Sequence, residues 1–257
     1  MRTGSKIQSE CFPCTIGHYC PQGATSPTPA PEGYYVPYMG ATDLKAALKC
    51  PPGYPCAGTG NHDYKGFTCS KGHYCPPGSI SSTDSKCPAG TYTEREDLWS
   101  ADQCTVCPSG KYCLEGSAFA DLVICPVGHY CPPGTKSSTQ YPCPTGTFGL
   151  SPGLIAETAC SNCTAGGSCG SGSSSSTTCS AGFYCPAGTT TSTPVNHKAP
   201  AGSYIANTGA TSQYENTACG LGNFCPEGST APTDCPAGTY SDQIRAASCT
   251  ACPAGYY

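Results

Sequence analysis

Cysteine is the residue type through which this chain could do chemistry: 24 of its 257 positions carry it. Four C-x2-C pairs, Cys11/Cys14, Cys104/Cys107, Cys160/Cys163 and Cys249/Cys252, have the spacing of a zinc knuckle or of a dithiol redox couple. A zinc site also needs companion ligands at fixed positions. The histidines inside the C-x5-C loops, His18, His73 and His129, give way at aligned positions to Lys111, Phe183 and Asn223, so no ligand recurs. His62 and His197 stand alone, without a recurring carboxylate or nucleophile beside them. Acidic residues are scattered and do not follow a calcium-loop spacing. The glycine-rich run from Gly166 to Gly172 lacks the lysine of a phosphate cradle and reads as a linker. What remains is oxidative cross-linking: no metal, no cofactor and no catalytic residue is assigned, and the chain is not expected to be an enzyme.

Composition explains why cross-links are needed. With 32 glycines, 26 prolines and few aliphatic residues, the chain cannot bury an ordinary core. Disorder would call for high net charge, whereas charged residues make up only 11% and the net charge is near -4. So many thiols belong in an oxidising, extracellular or cell-surface setting. No basic stripe is present to collect phosphates, which argues against nucleic acid as a partner. The longest apolar runs, such as Ala120 to Cys125 interrupted by Asp121, are too short to cross a bilayer.

The elements that position the cysteines are repeats. Cys-x-x-Gly begins at Cys14, Cys50, Cys69, Cys87, Cys107, Cys125, Cys143, Cys163, Cys179, Cys219, Cys235 and Cys252, with degenerate copies at Ala30 and Ala199. An aromatic residue usually follows two places after the glycine, as at Tyr19, Tyr74, Tyr92, Tyr130, Phe148 and Tyr184; Pro55 and Ser168 are the exceptions. Ala30, Cys87, Cys143 and Ala199 lie 56 or 57 residues apart, which sets a long period. The resulting organisation is a partial repeat over 1–29, a repeat lacking its first disulfide over 30–86, full repeats over 87–142 and 143–198, a short repeat over 199–234 and a partial one over 235–257.

Imperfect copies test the pairing. Where the first cysteine becomes Ala30, the position aligned with Cys104 is Ala47; where it becomes Ala199, that position is Asn216. Joint loss is what bonded partners show, so Cys87 pairs with Cys104, Cys143 with Cys160 and Cys235 with Cys249. In the short copy only Cys219 and Cys225 remain before Cys235, which pairs them locally. By extension Cys14 pairs with Cys20, Cys50 with Cys56, Cys69 with Cys75, Cys107 with Cys113, Cys125 with Cys131, Cys163 with Cys169 and Cys179 with Cys185. A crossed alternative, Cys107 with Cys125 and Cys113 with Cys131, stays open. Cys11 and Cys252 are left over, and their partners are expected beyond the two ends, as in a segment of a longer repeat protein.

Short strands are expected at the aromatic ends of the CPAGTY-like segments. Helix is expected to reach a turn or two at most, near Leu44 and Trp99. Modules touching mainly their neighbours would form an elongated rod of small disulfide-rich units. The Ser, Thr and Pro rich stretches Thr25 to Pro31, Ser79 to Ser85, Ser171 to Thr178 and Thr189 to Pro194 read as exposed loops and candidate O-glycan carriers. One N-glycosylation sequon, Asn162-Cys163-Thr164, is present.

CPAGTYSDQIRAASCTACPAGYY, from Cys235 to Tyr257, closely resembles the ephrin-receptor-like cysteine-rich repeat, and residues 87 to 113 and 143 to 169 match it well. The copies at Ala30 and Ala199 depart from it by lacking the first disulfide. The ladder also resembles that of tumour-necrosis-factor receptors, from which the crossed pairing comes. Such arrays are common in large surface proteins of protists and algae, so the resemblance implies a location and a shape more than a chemistry. The resulting expectation is an extracellular structural repeat protein that forms a surface coat, a flagellar-hair-like appendage or a glycosylated filament, with other copies or neighbouring repeats as partners. The alternative is the ligand-binding ectodomain of a cell-surface receptor.

Overall fold

The computed structural model describes residues 11–257; residues 1–10 of the partial first repeat lie outside the described part. The unit of construction is the Cys-x-x-Gly corner. In the copy opened by Cys87, Thr91 N–H donates to the Pro88 carbonyl at 3.0 Å, which closes a tight turn over Gly90. Two residues of strand follow, Thr91–Tyr92, and after a loop they pair antiparallel with Thr105–Val106. The next cysteine, Cys107, donates its N–H to the Gly90 carbonyl at 2.9 Å and opens the next corner. Glycine and proline at each corner keep strands this short.

The same hairpin recurs as His18–Tyr19 with Thr28–Pro29, Tyr34–Tyr35 with Leu48–Lys49, His73–Tyr74 with Ser85–Lys86, Thr147–Phe148 with Ser161–Asn162, and Ser203–Tyr204 with Thr217–Ala218. Ten two-stranded sheets occur among the described residues. Near Cys125 and Cys179 the hairpin shrinks to single bridges, His129 to Pro142 and Phe183 to Lys198. A hairpin or bridge follows nearly every corner, so the structural repeat is about a third of the long sequence period. Among the described residues helical structure is confined to 3-10 turns, among them Leu44–Ala46, Ala101–Gln103, Glu157–Ala159 and Gln213–Glu215.

The chain divides into two units. The first comprises Met1–Pro108, Tyr112–Val123 and Pro133–Ser137; the second comprises Ser109–Lys111, Ile124–Pro132 and Ser138–Tyr257. In the first, successive modules join through corner amides: Gly33 N–H donates to Cys56 O at 3.1 Å, Gly53 to Cys75 at 2.8 Å, Gly72 to Thr93 at 3.0 Å and Gly90 to Cys113 at 2.8 Å. A second glycine per module returns the contact: Gly78 N–H donates to Cys50 O, and Gly116 N–H to Cys87 O, both at 2.9 Å. The second unit repeats both sets, with Gly146 to Cys169, Gly166 to Cys185 and Gly202 to Cys225 at 2.8 Å, and Gly172 to Cys143 at 2.9 Å.

Two features of the corner require glycine. Gly72 has φ +78°, in the left-handed region, and a Cβ there would sit 2.1 Å from the Gly116 carbonyl oxygen. The same close approach recurs in the second unit between Gly128 and the Gly172 oxygen at 2.2 Å. Backbone therefore packs on backbone, and side-chain cores stay small. Tyr74 packs on Cys87, Leu98 and Cys104; Tyr92 packs on Cys107, Cys113 and Leu122; Tyr184 packs on Ala199, Ile205 and Ala210. An aromatic residue of one module thus covers the disulfide or aliphatic cluster of the next.

Candidate functional site

Each C-x5-C unit closes on itself: Cys14 with Cys20, Cys50 with Cys56, Cys69 with Cys75, Cys107 with Cys113, Cys125 with Cys131, Cys163 with Cys169, Cys179 with Cys185 and Cys219 with Cys225. Longer rings join Cys87 to Cys104 and Cys143 to Cys160, 17 residues apart, and Cys235 to Cys249, 14 residues apart. In the C-x2-C pair Cys104/Cys107 the two sulfurs belong to different disulfides, and the same holds at Cys160/Cys163. These pairs are spacers between rings, neither knuckles nor dithiol couples. Cys11, exposed, and Cys252, half-buried, carry no disulfide.

The histidines beside the rings have a local task. Nδ1 of His18, His73 and His129 lies 3.0, 2.9 and 3.3 Å from the carbonyls of Ile16, Lys71 and Val127. A carbonyl accepts, so Nδ1 carries the proton and the ring ties down its own corner. Asn223 does the same to Leu221 O at 3.2 Å. Other corners use a hydroxyl: Thr91 and Thr147 donate to Pro88 O and Pro144 O at 2.7 Å, and Ser203 to Pro200 O at 2.7 Å. Histidine, asparagine, threonine and serine all make this tie, and Phe183 at the aligned position has no side-chain donor to make it, so the corner does not depend on histidine.

Copy-specific features are few. Tyr64 sits between Tyr35 and Tyr54, with ring centroids 5.3 and 5.4 Å away in edge-to-face geometry, and restores an aromatic contact where Pro55 breaks the pattern. The His197 ring packs against Tyr184 in tilted geometry, with ring centroids 4.9 Å apart, beside an open recess of about 360 Å³ lined by Pro186 to Thr191 and Pro194 to His197; its Nδ1 has no hydrogen-bond partner. Among the described residues no group of three or more histidine, cysteine or acidic side chains could hold a metal ion. Arg95 grips Asp97 through two hydrogen bonds at 3.0 and 2.9 Å, which holds the Asp97 carboxyl below the usual carboxylate range. Glu215 is likewise held low, first by the Thr211 hydroxyl and then by the Thr211 and Ser212 backbone amides.

Two readings of the Gly and Ser rich stretches need correction. Gly166 to Gly172 is no linker. Gly166 is a corner, Gly167–Ser168 is a buried strand paired with Thr177–Thr178, and Gly172 is the second glycine of its module. A Cβ on Gly167 would meet Ser176 Cβ at 3.0 Å, so close pairing explains the glycine. The Ser and Thr rich stretches are only partly loop. Ser79 and Thr189 are buried and donate to Pro76 O and Pro186 O, Ser82 is bonded to Ser70, and Thr28–Pro29, Ser85–Lys86 and Thr177–Thr178 are strands. The exposed hydroxyls that remain include Thr25, Ser26, Thr28, Ser174, Ser175 and Ser176. Asn162 is exposed on the strand Ser161–Asn162.

The chain is disulfide-rich and modular, and among the described residues no helix is long and apolar enough to cross a membrane. No protein-family model matches it, and no curated protein matches it either.

Proposed function

We propose that this chain is an extracellular structural repeat protein that builds a surface coat, a hair-like appendage or a filament from stacked modules, of the kind implied by its likeness to ephrin-receptor-like repeats. The observation that carries the reading is the corner ladder. Module joins to module through backbone amides and carbonyls, as in Gly72 to Thr93 and Gly116 to Cys87, while side chains at the same positions vary freely. A fold whose specificity lies in its backbone suits repetition more than recognition of one ligand. Eleven disulfides match an oxidising exterior. Other copies or neighbouring repeats are the partners, and the exposed Ser and Thr residues are the places for O-linked sugars.

Electron microscopy of the native material tests this. The expected result is a coat or fibre with a regular axial repeat that survives non-reducing detergent and collapses on reduction. A monodisperse compact monomer would contradict it.

A further inference from the structure

In several modules the residue before the opening cysteine, or before the alanine that replaces it, lays its side chain beside a glycine further along the chain, as Lys86 does in the first unit, 3.3 Å from the position a Cβ would take on Gly116. Pro142 lies 3.5 Å from the position a Cβ would take on Gly172, Thr178 lies 3.4 Å from that on Gly209, and Lys198 lies 3.6 Å from that on Gly228. Asn162 holds this place before Cys163, and its glycine is Gly188, whose N–H donates to Cys163 O at 2.9 Å as Gly172 N–H does to Cys143 O. Beside Gly188, as beside Gly40 in the Cys14 module, nothing but the glycine's own chain neighbours lies within 4 Å of that position. Asn162 is exposed, and Thr164, the hydroxyl residue of its sequon, is exposed as well. Between them Cys163 is fully buried in its bond to Cys169.

We propose that Asn162 carries an N-linked glycan, attached before the Cys163 to Cys169 ring closes. The proposal rests on the extracellular reading above, since the transferring enzyme meets only exported chains. In the folded chain Asn162 is paired with Thr147, Cys160 is tied to Cys143, and Cys163 is tied to Cys169. The sequon is thus held flat in a ladder and stapled on both sides, unable to bend so that the amide and the Thr164 hydroxyl meet in an enzyme. Two reactions compete for one segment. In the first, Asn162 Nδ2 attacks C1 of a sugar carried on a polyprenyl pyrophosphate. The N–C1 bond forms, the bond from C1 to the pyrophosphate oxygen breaks, polyprenyl pyrophosphate leaves, and one amide proton passes to a base of the transferase. In the second, the Cys163 and Cys169 thiols give up two protons and two electrons to an oxidised disulfide carrier.

The whole chain is made behind a secretion signal in a eukaryotic host. Asn162 occupancy is read by mass spectrometry, as conversion to aspartate on enzymatic release of the glycan in heavy-oxygen water, in cell extract as well as medium. Partial occupancy is expected in the wild type. A severalfold rise in the occupied-to-empty ratio is expected in the Cys163→Ser/Cys169→Ser variant and, independently of any substitution, in wild-type cells given a reductant during synthesis. Thr164→Ala should lose the glycan. Ser174→Asn, in the exposed serine run, creates a control sequon that should fill throughout. An empty Asn162 in every form beside a filled control overturns the site. Equal occupancy in wild-type, variant and reductant-treated samples overturns the competition. Wild-type chain with the Cys163 and Cys169 thiols still open to alkylation contradicts the extracellular reading, and the proposal with it.

Discussion

The modules opened by Cys87 and Cys143 each carry a long disulfide, whereas those opened by Ala30 and Ala199 carry none, yet the four share one backbone. Their hairpins pair in the same register: Thr91 with Val106 and Thr147 with Asn162 in the first kind, Tyr34 with Lys49 and Ser203 with Ala218 in the second. The residue after the hairpin aromatic makes the same bond to the next module, from Thr93 to Ser117 O and from Ile205 to Ser229 O. What differs is the filling. Beside the disulfides this residue is Thr93 or Gly149, and a Cβ on Gly149 would meet Cys143 Sγ at 3.2 Å. Without the disulfides it is Val36 or Ile205, at 0% and 2% exposure. Five residues on, the exchange reverses, with Leu98 and Leu154 in the bonded modules and Ala41 and Ala210 in the others. A sulfur pair and a branched aliphatic side chain therefore occupy equivalent space within a frame that neither of them creates.

The comparison breaks most severely where the frame itself is attacked. Gly33→Ala and Gly90→Ala lie in an unbonded and a bonded module, at φ +76° and +87°, with the new Cβ 2.4 and 2.5 Å from the Gly78 and Gly134 carbonyl oxygens. Left-handed strain and backbone overlap together should cost more than about 3 kcal/mol in each. Thermal unfolding should show equal losses, and a loss confined to the module without a long disulfide would break the comparison.

Removing the filling comes next. Cys87→Ala with Cys104→Ala releases a ring of 17-residue separation and should cost about 3 kcal/mol. Ile205→Ala in the other kind of module should cost about 2–4 kcal/mol, read in the same denaturation experiment. Adding Thr93→Ile and Leu98→Ala to the variant without Cys87 and Cys104 copies the Ile205 and Ala210 solution and should return about 1 kcal/mol. No recovery would mean that the two fillings are not equivalent.

Smaller effects sharpen the same point. Arg245 replaces the second glycine of its module and is the non-glycine residue with positive φ, +64°, among the described residues. Arg245→Gly should stabilise by about 1 kcal/mol. The smallest difference lies in the turn caps. Gln103 Oε1 accepts from the Trp99 and Ser100 amides in a bonded module, and Glu215 Oε1 accepts from the Thr211 and Ser212 amides in an unbonded one. Because the Glu215 carboxyl is held low when folded, its contribution is present above the unfolded value and is lost as pH falls through the folded one. Glu215→Gln should flatten the acid limb of stability, whereas Gln103→Glu should add one.

Much of this architecture is written in residue types. Joint replacement of Cys87 and Cys104 by Ala30 and Ala47 points to a bonded pair because a lone thiol is a liability, and aromatic residues two places after each glycine mark strands such as Thr91–Tyr92. The module-to-module ladder is far less visible, since amides and carbonyls leave no side-chain signature beyond the glycine that permits their approach. That is why Gly166 to Gly172 reads as a linker and why the long period hides the shorter structural one. The tie from Nδ1 of His73 to Lys71 O is equally hidden, because histidine, asparagine, serine and threonine interchange there.

The account stands on modules that close upon themselves and then stack. Disulfide mapping of the non-reduced native chain by proteolysis and mass spectrometry tests this most directly. Cys107 should be found bonded to Cys113 and Cys125 to Cys131, each within one short ring. A peptide joining Cys107 to Cys125, or Cys113 to Cys131, would mean that the modules are laced to one another through sulfur, and the backbone ladder would lose its place as the frame.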